Sequence, residues 1–276
     1  MHKDKINLDD YKMIVSDIDG TLMGKDHQIH SLTKDVVSHL RSNGIYFTLA
    51  TGKSLPGTIS QADALEIDLP LVLINGAMLQ TRKGEVLWQT VLPLELTQET
   101  IEICEDKESD LVIYMGDKIL FKEMNSNINQ VYGHLTSGLF EVGEWNTIRD
   151  SLAGANKCLV VDTINRENLY EIGEVFGKAF NDRADVIHTS ELLVEVMPKG
   201  VTKVTGIQAL AESLDVRMHE VMAFGDFDND AAMLSAVGLG IAVENASPRA
   251  KSAAKFVIGA VEEQGPAVFL QELLDR

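Results

Sequence analysis

The segment Ser16-Asp17-Ile18-Asp19-Gly20-Thr21-Leu22-Met23-Gly24 follows directly on the apolar run Met13-Ile14-Val15. Two carboxylates one residue apart at the end of a buried strand repel each other, and they destabilise a fold unless a cation neutralises them. A second acidic stretch, Gly225-Asp226-Phe227-Asp228-Asn229-Asp230, follows the apolar run Val221-Met222-Ala223-Phe224. Asp226 and Asp230, converging on Asp17 and Asp19, would form a dense oxygen-only cluster with no His or Cys nearby in sequence. Such a donor set selects a hard ion, and Mg²⁺ binds through one or two carboxylates together with water and phosphate oxygens.

The same pair suits phosphoryl transfer. One aspartate can attack phosphorus and hold the phosphoryl group as an acyl phosphate, which divides a difficult hydrolysis into two easier steps. The other, two residues on, can protonate the leaving oxygen and later take a proton from water. The equatorial phosphoryl oxygens need donors around them. Thr51, the Gly52 N–H, Asn229 and Lys203 are available at or near other strand ends. Lys199 competes for the lysine role, and the spacing Gly200-Val201-Thr202-Lys203 favours Lys203 in the first turn of a helix.

These residues need a scaffold that gathers strand ends. In an open parallel sheet, ligands bind beyond the carboxyl ends of the strands. Apolar runs at 12–16, 45–50 and 71–74 read as buried parallel strands, separated by a helix from Ser31, its expected N-cap, to Gly44. The alternation resumes after about residue 200, with a helix over 202–214, strands over 221–224, 240–243 and 255–258, a short helix over 230–237 and a closing helix over 265–274.

The middle has another texture. Residues 84–92 alternate as a strand, 111–123 read as a hairpin turning on Gly116-Asp117, and strands are expected near 158–163, 184–190 and 192–198. Helical stretches fall near 97–108 and 166–180. Hairpins and helices between two halves of a parallel pattern imply a second α+β domain, 84–193, inserted into a core of 1–83 and 194–276. Tyr114, Met115, Phe121 and Met124 are expected in the core of that insertion.

Composition narrows the partners. The 276 residues are 45% hydrophobic and 24% charged, an ordinary globular balance, with a net charge of −18. That charge opposes binding to nucleic-acid backbones or anionic membranes, while leaving room for a small phosphorylated ligand in a locally positive site. Cys104 and Cys158 show no CxxC spacing and are expected as core thiols of a reducing compartment. The polar start and the lack of a long apolar run give a cytoplasmic expectation. A P-loop is excluded because Phe47 stands where its first glycine belongs. His27 and His30 are expected on a solvated loop.

Asp17-Ile18-Asp19-Gly20-Thr21-Leu22, Ala50-Thr51-Gly52-Lys53, the stretch 197–206 and Gly225–Asp230 resemble, in order, the four motifs of the haloacid-dehalogenase-like (HAD) phosphohydrolases. Leu73–Ala77, the position of the insertion and the stretch 240–257 look like its Cof-type branch, with a large α/β cap of type IIB. The resemblance implies an HAD-like Rossmannoid core with a parallel sheet, plus an inserted α+β cap domain. It implies a Mg²⁺-dependent phosphatase of small phosphorylated metabolites, sugar phosphates foremost, working through an aspartyl phosphate. By position, Asp17 is the nucleophile and a Mg²⁺ ligand, and Asp19 is the acid/base with its carbonyl on the metal. Asp226 is the remaining carboxylate ligand, and Asp230 supports the metal shell or Lys203. Ile18 N–H, Thr51, Gly52, Lys203 and Asn229 hold the phosphate. A sugar phosphomutase using the same pair and a non-catalytic sugar-phosphate sensor are the rival expectations. One departure stands out. Lys53 occupies the place where the family more often has arginine, and lysine lacks the guanidinium fork.

Overall fold

Strand β1, Met13–Ser16, is buried along its whole length, so it can sit only at the centre of a sheet covered on both faces. A computed structural model of the chain describes residues 6–116, 118–132, 140–145, 154–190 and 192–276. These residues form strands β1, β2 (Tyr46–Leu49), β3 (Leu71–Leu73), β4 (Met78–Gln80), β5 (Val86–Gln89), β6 (Asp110–Met115), β7 (Lys118–Phe121), β8 (Phe140–Val142), β9 (Lys157–Val161), β10 (Ala184–Ser190), β11 (Leu193–Pro198), β12 (Val221–Gly225), β13 (Leu239–Val243) and β14 (Phe256–Ile258). The helices are α1 (Ser31–Ser42), α2 (Ile59–Ala64), α3 (Leu94–Asp106), α4 (Ser126–Tyr132), α5 (Arg166–Phe180), α6 (Lys203–Ser213), α7 (Ala231–Ala236), α8 (Pro248–Ala253) and α9 (Gly265–Leu274). Among the described residues, no helix is long and apolar enough to cross a membrane.

The chain divides into two units, Met1–Trp88 with Thr202–Arg276, and Gln89–Val201. The first holds a parallel sheet in the order β14-β13-β12-β1-β2. A bridge between Ala50 and Val72 extends it to β3, which continues into the small sheet β3-β4-β5. Ile207, Leu210 and Ala211 of α6, Met233 and Leu234 of α7 and Ala250 of α8 join Val15, Val221 and Ala223 in one apolar cluster. Elsewhere in this unit α1 packs with α9, and Phe269 of α9 meets Phe224 of β12 edge-on, with ring centroids 6.1 Å apart.

The second unit is a six-stranded sheet, β10-β11-β9-β6-β7-β8, antiparallel except where β7 meets β8. Helices α3 and α5 bury Leu96, Ile101, Leu169, Ile172 and Phe176 with Leu111, Ile113, Val160 and Val194 of the strands. Cys104 and Cys158 lie in this cluster, where burial pushes the Cys104 thiol well up and the Cys158 thiol up to about 12. Neither can act as a nucleophile at neutral pH.

Several details differ from the sequence expectations. The units meet at 88/89 and 201/202, where the sequence suggested 83/84 and 193/194. The shift has a physical reason: β5 hydrogen-bonds to β4 and stays with the first unit, whereas β11 pairs with β9 and β10. Helix α1 is capped by His30, without a side-chain cap, because Ser31 already has its first helical position. Tyr114 and Phe121 are buried as expected, but Met124 is 41% exposed. The β6–β7 pairing is antiparallel, while the turn residue Asp117 lies outside the described residues.

Candidate active site

The carboxyl ends of β1 and β12 bring the two acidic stretches together, because the strands pair in parallel with Ser16 opposite Phe224. The chain then turns sharply after β1. The Ile18 carbonyl accepts the N–H groups of Thr21, Leu22 and Met23, and the Gly20 N–H donates to the Met23 carbonyl. Gly20 takes φ +81°, and a Cβ there would stand 2.3 Å from Asp226 Oδ2. Only glycine lets the turn pass this close to the second acidic loop.

Asp17, Asp226 and Asp230 each place a carboxylate oxygen within 4.8 Å of the others. Asp17 and Asp230 are buried, and Lys203 lies between them, its Nζ 2.5 Å from an oxygen of each. Lys203 opens α6, where a cation opposes the helix dipole, and it is 1% exposed. Its placement makes sense only through the carboxylates, which hold its pKa above the ordinary lysine value despite desolvation. Gly76, with φ +90°, admits this helix start, since a Cβ there would come within 2.0 Å of the Thr202 carbonyl.

Desolvation raises the Asp17 carboxyl well above its usual value, and the nearby Asp230 and Asp226 raise it further, against the lowering effect of Lys203. Asp226 is pushed up to about 6, first by desolvation and then by Asp230, although Thr21 Oγ1 donates to its Oδ1 at 3.0 Å. Three carboxylates around one lysine leave excess negative charge, and the donors are all oxygen. This set fits a hard divalent cation.

Asp230 has a second task. Its Oδ2 accepts the N–H groups of Asp226 (2.9 Å) and Phe227 (3.1 Å), so it shapes the loop that carries Asp226. Behind that loop, Ser247 Oγ donates to Asp228 Oδ1 and the Ser247 N–H donates to the Asp226 carbonyl.

The remaining motif residues line the neighbouring strand ends. Thr51 is 2% exposed, its N–H bound to the Val72 carbonyl and its carbonyl to the Asn75 N–H. Thr51 Oγ1 accepts the Lys53 N–H, which leaves its own proton to donate elsewhere. Asn229 donates from Nδ2 to Asn75 Oδ1 at 3.0 Å, and Gly52 runs beside that same Asn75 side chain. Asp19 differs from its neighbours. Its side chain is 46% exposed and turned to Lys53, Nζ to Oδ2 2.6 Å. Ile18, by contrast, is fully buried.

Lys199 pairs with Asp185 at 2.7 Å, within the other unit, whereas Lys203 contacts Asp17 and Asp230. Sequence reasoning missed Thr21, Asn75 as the partner of Asn229, and the Lys53–Asp19 pair. Thr21 was visible inside the first motif, and Asn75 at the end of β3. Nothing in the spacing could have revealed the Lys53 contact.

The chain matches the haloacid dehalogenase-like hydrolase family over residues 14–270. An HMP-PP phosphatase of Yersinia pseudotuberculosis serotype I (strain IP32953) is 30% identical over 271 residues, 96% of each chain. Among solved structures, an HAD/COF-like hydrolase from Plasmodium vivax superposes with a TM-score of 0.85 at 24% identity, covering 96% of each chain. A sugar phosphatase of HAD subclass IIB gives 0.81 at 22% identity, covering 95% of this chain and 98% of the other. The protein belongs to the haloacid dehalogenase-like hydrolase family, in its Cof-type branch. Within that family it is a phosphatase, with the α/β core and inserted α+β unit that the sequence implied.

Proposed function

We propose that the protein is a Mg²⁺-dependent phosphatase of a small phosphorylated metabolite, working through an aspartyl phosphate on Asp17. The observation that carries this reading is the cluster of Asp17, Asp226 and Asp230 around Lys203, three carboxylates against one ammonium. Asp17, Asp226 and the Asp19 carbonyl would hold Mg²⁺, with Asp230 behind them. When bound, the ion supplies the positive charge that lets carboxylates and a phosphate dianion share one site.

The chain's own residues do the rest. Asp17 attacks phosphorus, and the bond from phosphorus to the leaving oxygen breaks with its electron pair going to that oxygen. Asp19 supplies the proton an alkoxide needs, then takes one from the water that cleaves the aspartyl phosphate. Lys203, the Thr51 hydroxyl, the Asn229 amide and the Ile18 and Gly52 N–H groups face the phosphoryl oxygens in this reading. Lys203 also holds Asp17 in place, since its Nζ bridges Asp17 and Asp230.

Sugar phosphates are the class the sequence suggests, while the name of the Yersinia relative points to HMP-PP. Choice among these substrates is assigned largely to the inserted unit, residues 89–201. Phosphate release across a panel of phosphorylated metabolites tests the reading. Turnover should require Mg²⁺, vanish in chelator, and fall at least about a thousandfold in Asp17→Asn with the circular dichroism unchanged. Full activity in chelator, or an isomerised ester without free phosphate, would overturn it.

A further inference from the structure

Strand β3 ends in a hairpin whose backbone does more than reverse the chain. Asn75 (φ +53°, ψ 32°) and Gly76 (φ +90°) are the central pair of a turn closed by the Ala77 N–H on the Ile74 carbonyl at 3.0 Å. Both are left-handed, as a tight connection between antiparallel β3 and β4 requires, and Asn-Gly is the usual pair for it. Ile74 is left-handed as well, at φ +51°. Among the described residues it is the only β-branched one with such a backbone, and closing the hairpin does not require it. Strain of this kind persists only where the surroundings over-determine it.

Those surroundings are parts of the site that face the phosphoryl group on the proposed reading. Two successive N–H groups meet the loop after β2: that of Ile74 donates to the Lys53 carbonyl and that of Asn75 to the Thr51 carbonyl, both at 2.9 Å. The fully buried Ile74 side chain anchors the turn there. Asn75 is itself buried, and its Oδ1 accepts the Asn229 Nδ2 at 3.0 Å. Its amide also borders Gly52, where an added Cβ would stand 3.2 Å from Oδ1 and 3.3 Å from Nδ2. One residue at the end of β3 thus ties the loop after β2 to the loop after β12, although β1 separates those strands in the sheet. An asparagine amide carries two N–H donors on one rigid plane. Fixing one of the Asn229 donors on Asn75 sets the direction of the other.

We propose that Asn75 is a positioning residue for phosphoryl transfer, which aims the Asn229 amide at the phosphoryl oxygens and is presented for that task by the strained Ile74. The proposal rests on the phosphatase reading above, in which Asn229 is one of the donors around the phosphoryl group. Asn75 acts through Asn229 and needs no contact of its own with substrate.

The test separates the amide of Asn75 from the turn that carries it. Asn75→Gly deletes the side chain yet accepts the left-handed backbone freely, whereas Asn75→Ala deletes it and strains the turn. Phosphate release from p-nitrophenyl phosphate in Mg²⁺ is followed for both, for Asn229→Ala and for Asn75→Gly/Asn229→Ala, beside thermal unfolding of each. Asn75→Gly and Asn75→Ala should lose kcat/KM to the same extent, about tenfold, although Asn75→Ala unfolds at the lower temperature. In the Asn229→Ala background, Asn75→Gly should cost nothing further, because a residue that acts through another adds no loss once the other is gone. Inhibition by orthovanadate, which imitates five-coordinate phosphorus, should weaken in Asn75→Gly by the same factor as kcat/KM. Should Asn75→Ala fail to fold, Asn75→Gly and the double variant carry the test alone. Full activity in Asn75→Gly would make Asn75 a turn residue only, and the proposal would fail. The same loss repeated in the Asn229→Ala background would overturn it too, since Asn75 would then work independently of Asn229. If wild type released phosphate from neither this probe nor any member of the metabolite panel, the phosphatase reading itself would fall, an outcome distinct from an active enzyme indifferent to Asn75.

Discussion

Each unit of the molecule buries a lysine, and the two lysines are kept in different company. Lys157 of β9 sits on the inserted sheet with Nζ 2.8 Å from Glu195 of β11 and 4.5 Å from the ring centre of Tyr114. Tyr114 in turn shares a 2.7 Å hydrogen bond with Tyr132. Among the described residues, Glu195 is its acidic partner, and attraction to that carboxylate raises the Lys157 pKa against desolvation. Lys203 has two carboxylates in contact, while Asp226 adds a third to the cluster. A buried pair gains only what its geometry returns against the cost of drying both charges. A surplus of buried carboxylates cannot break even without another cation. The difference in company is what separates a pair that fits the protein alone from a cluster shaped for something else.

The largest test of this contrast removes each lysine in turn. Lys157→Met removes the ammonium that lies 2.8 Å from the buried Glu195 and should cost about 3–5 kcal/mol of stability, with no recovery on adding Mg²⁺. Replacing Glu195 as well, in Lys157→Met/Glu195→Leu, should restore much of the loss. Lys203→Met should be destabilised at least as strongly in chelator, yet regain stability as Mg²⁺ takes over the stranded carboxylates. Denaturant unfolding of each variant, with and without Mg²⁺, reads the difference, and the two units require their transitions to be fitted separately. Equal Mg²⁺ responses in the two variants would erase the distinction.

A smaller effect concerns pH. The metal-free folded protein holds Asp226 protonated to about pH 6, whereas the unfolded chain releases that proton near 3.8. The folded state therefore binds the extra proton, so its stability must fall as pH rises from about 4 through 6. Because Asp226 is only partly buried, the contribution is about 1–2 kcal/mol after allowance for solvent. Asp226→Asn should flatten this slope in chelator and make the metal-free protein more stable than wild type at pH 7. It should also abolish most of the Mg²⁺ stabilisation. Thermal unfolding between pH 4 and 8 decides the matter, and an unchanged slope in Asp226→Asn would place the titration elsewhere.

Much of this was readable from the chain because it rests on local signals. Buried parallel strands are apolar runs, so β1, β2, β3 and β12 stood out, and the aspartates at their ends were conspicuous against them. Lys203 followed from its spacing to Gly200 and from its place at a helix start. What the sequence hid depends on distance through space. Asn229 reaches Asn75 across 154 positions, and Thr21 reaches Asp226 across 205. The limits of the inserted unit depend on which neighbour β5 and β11 choose, and alternating apolar residues are silent about partners. Met124 reads as a core residue by type alone, while its exposure is set by where the chain turns after β7.

The smallest effect isolates one hydroxyl. Thr21 is buried, and its Oγ1 donates to Asp226 Oδ1 at 3.0 Å, the hydrogen bond that most counters the upward shift of that carboxyl. Thr21→Val keeps the shape and the methyl group but removes the donor. The charged form of Asp226 then loses a stabilising contact worth about 1 kcal/mol, which corresponds to roughly fivefold in an equilibrium constant. Because only the ionised carboxylate can hold the cation, the Mg²⁺ concentration for half-maximal turnover should rise by about that factor, while kcat at saturating Mg²⁺ stays close to wild type. Thr21→Ser supplies the hydroxyl without the methyl and should return the Mg²⁺ requirement to near its original value. If Thr21→Ser were as impaired as Thr21→Val, packing of the methyl would be the cause. If neither variant changed the Mg²⁺ requirement, the turn after β1 would support Asp226 through its backbone alone.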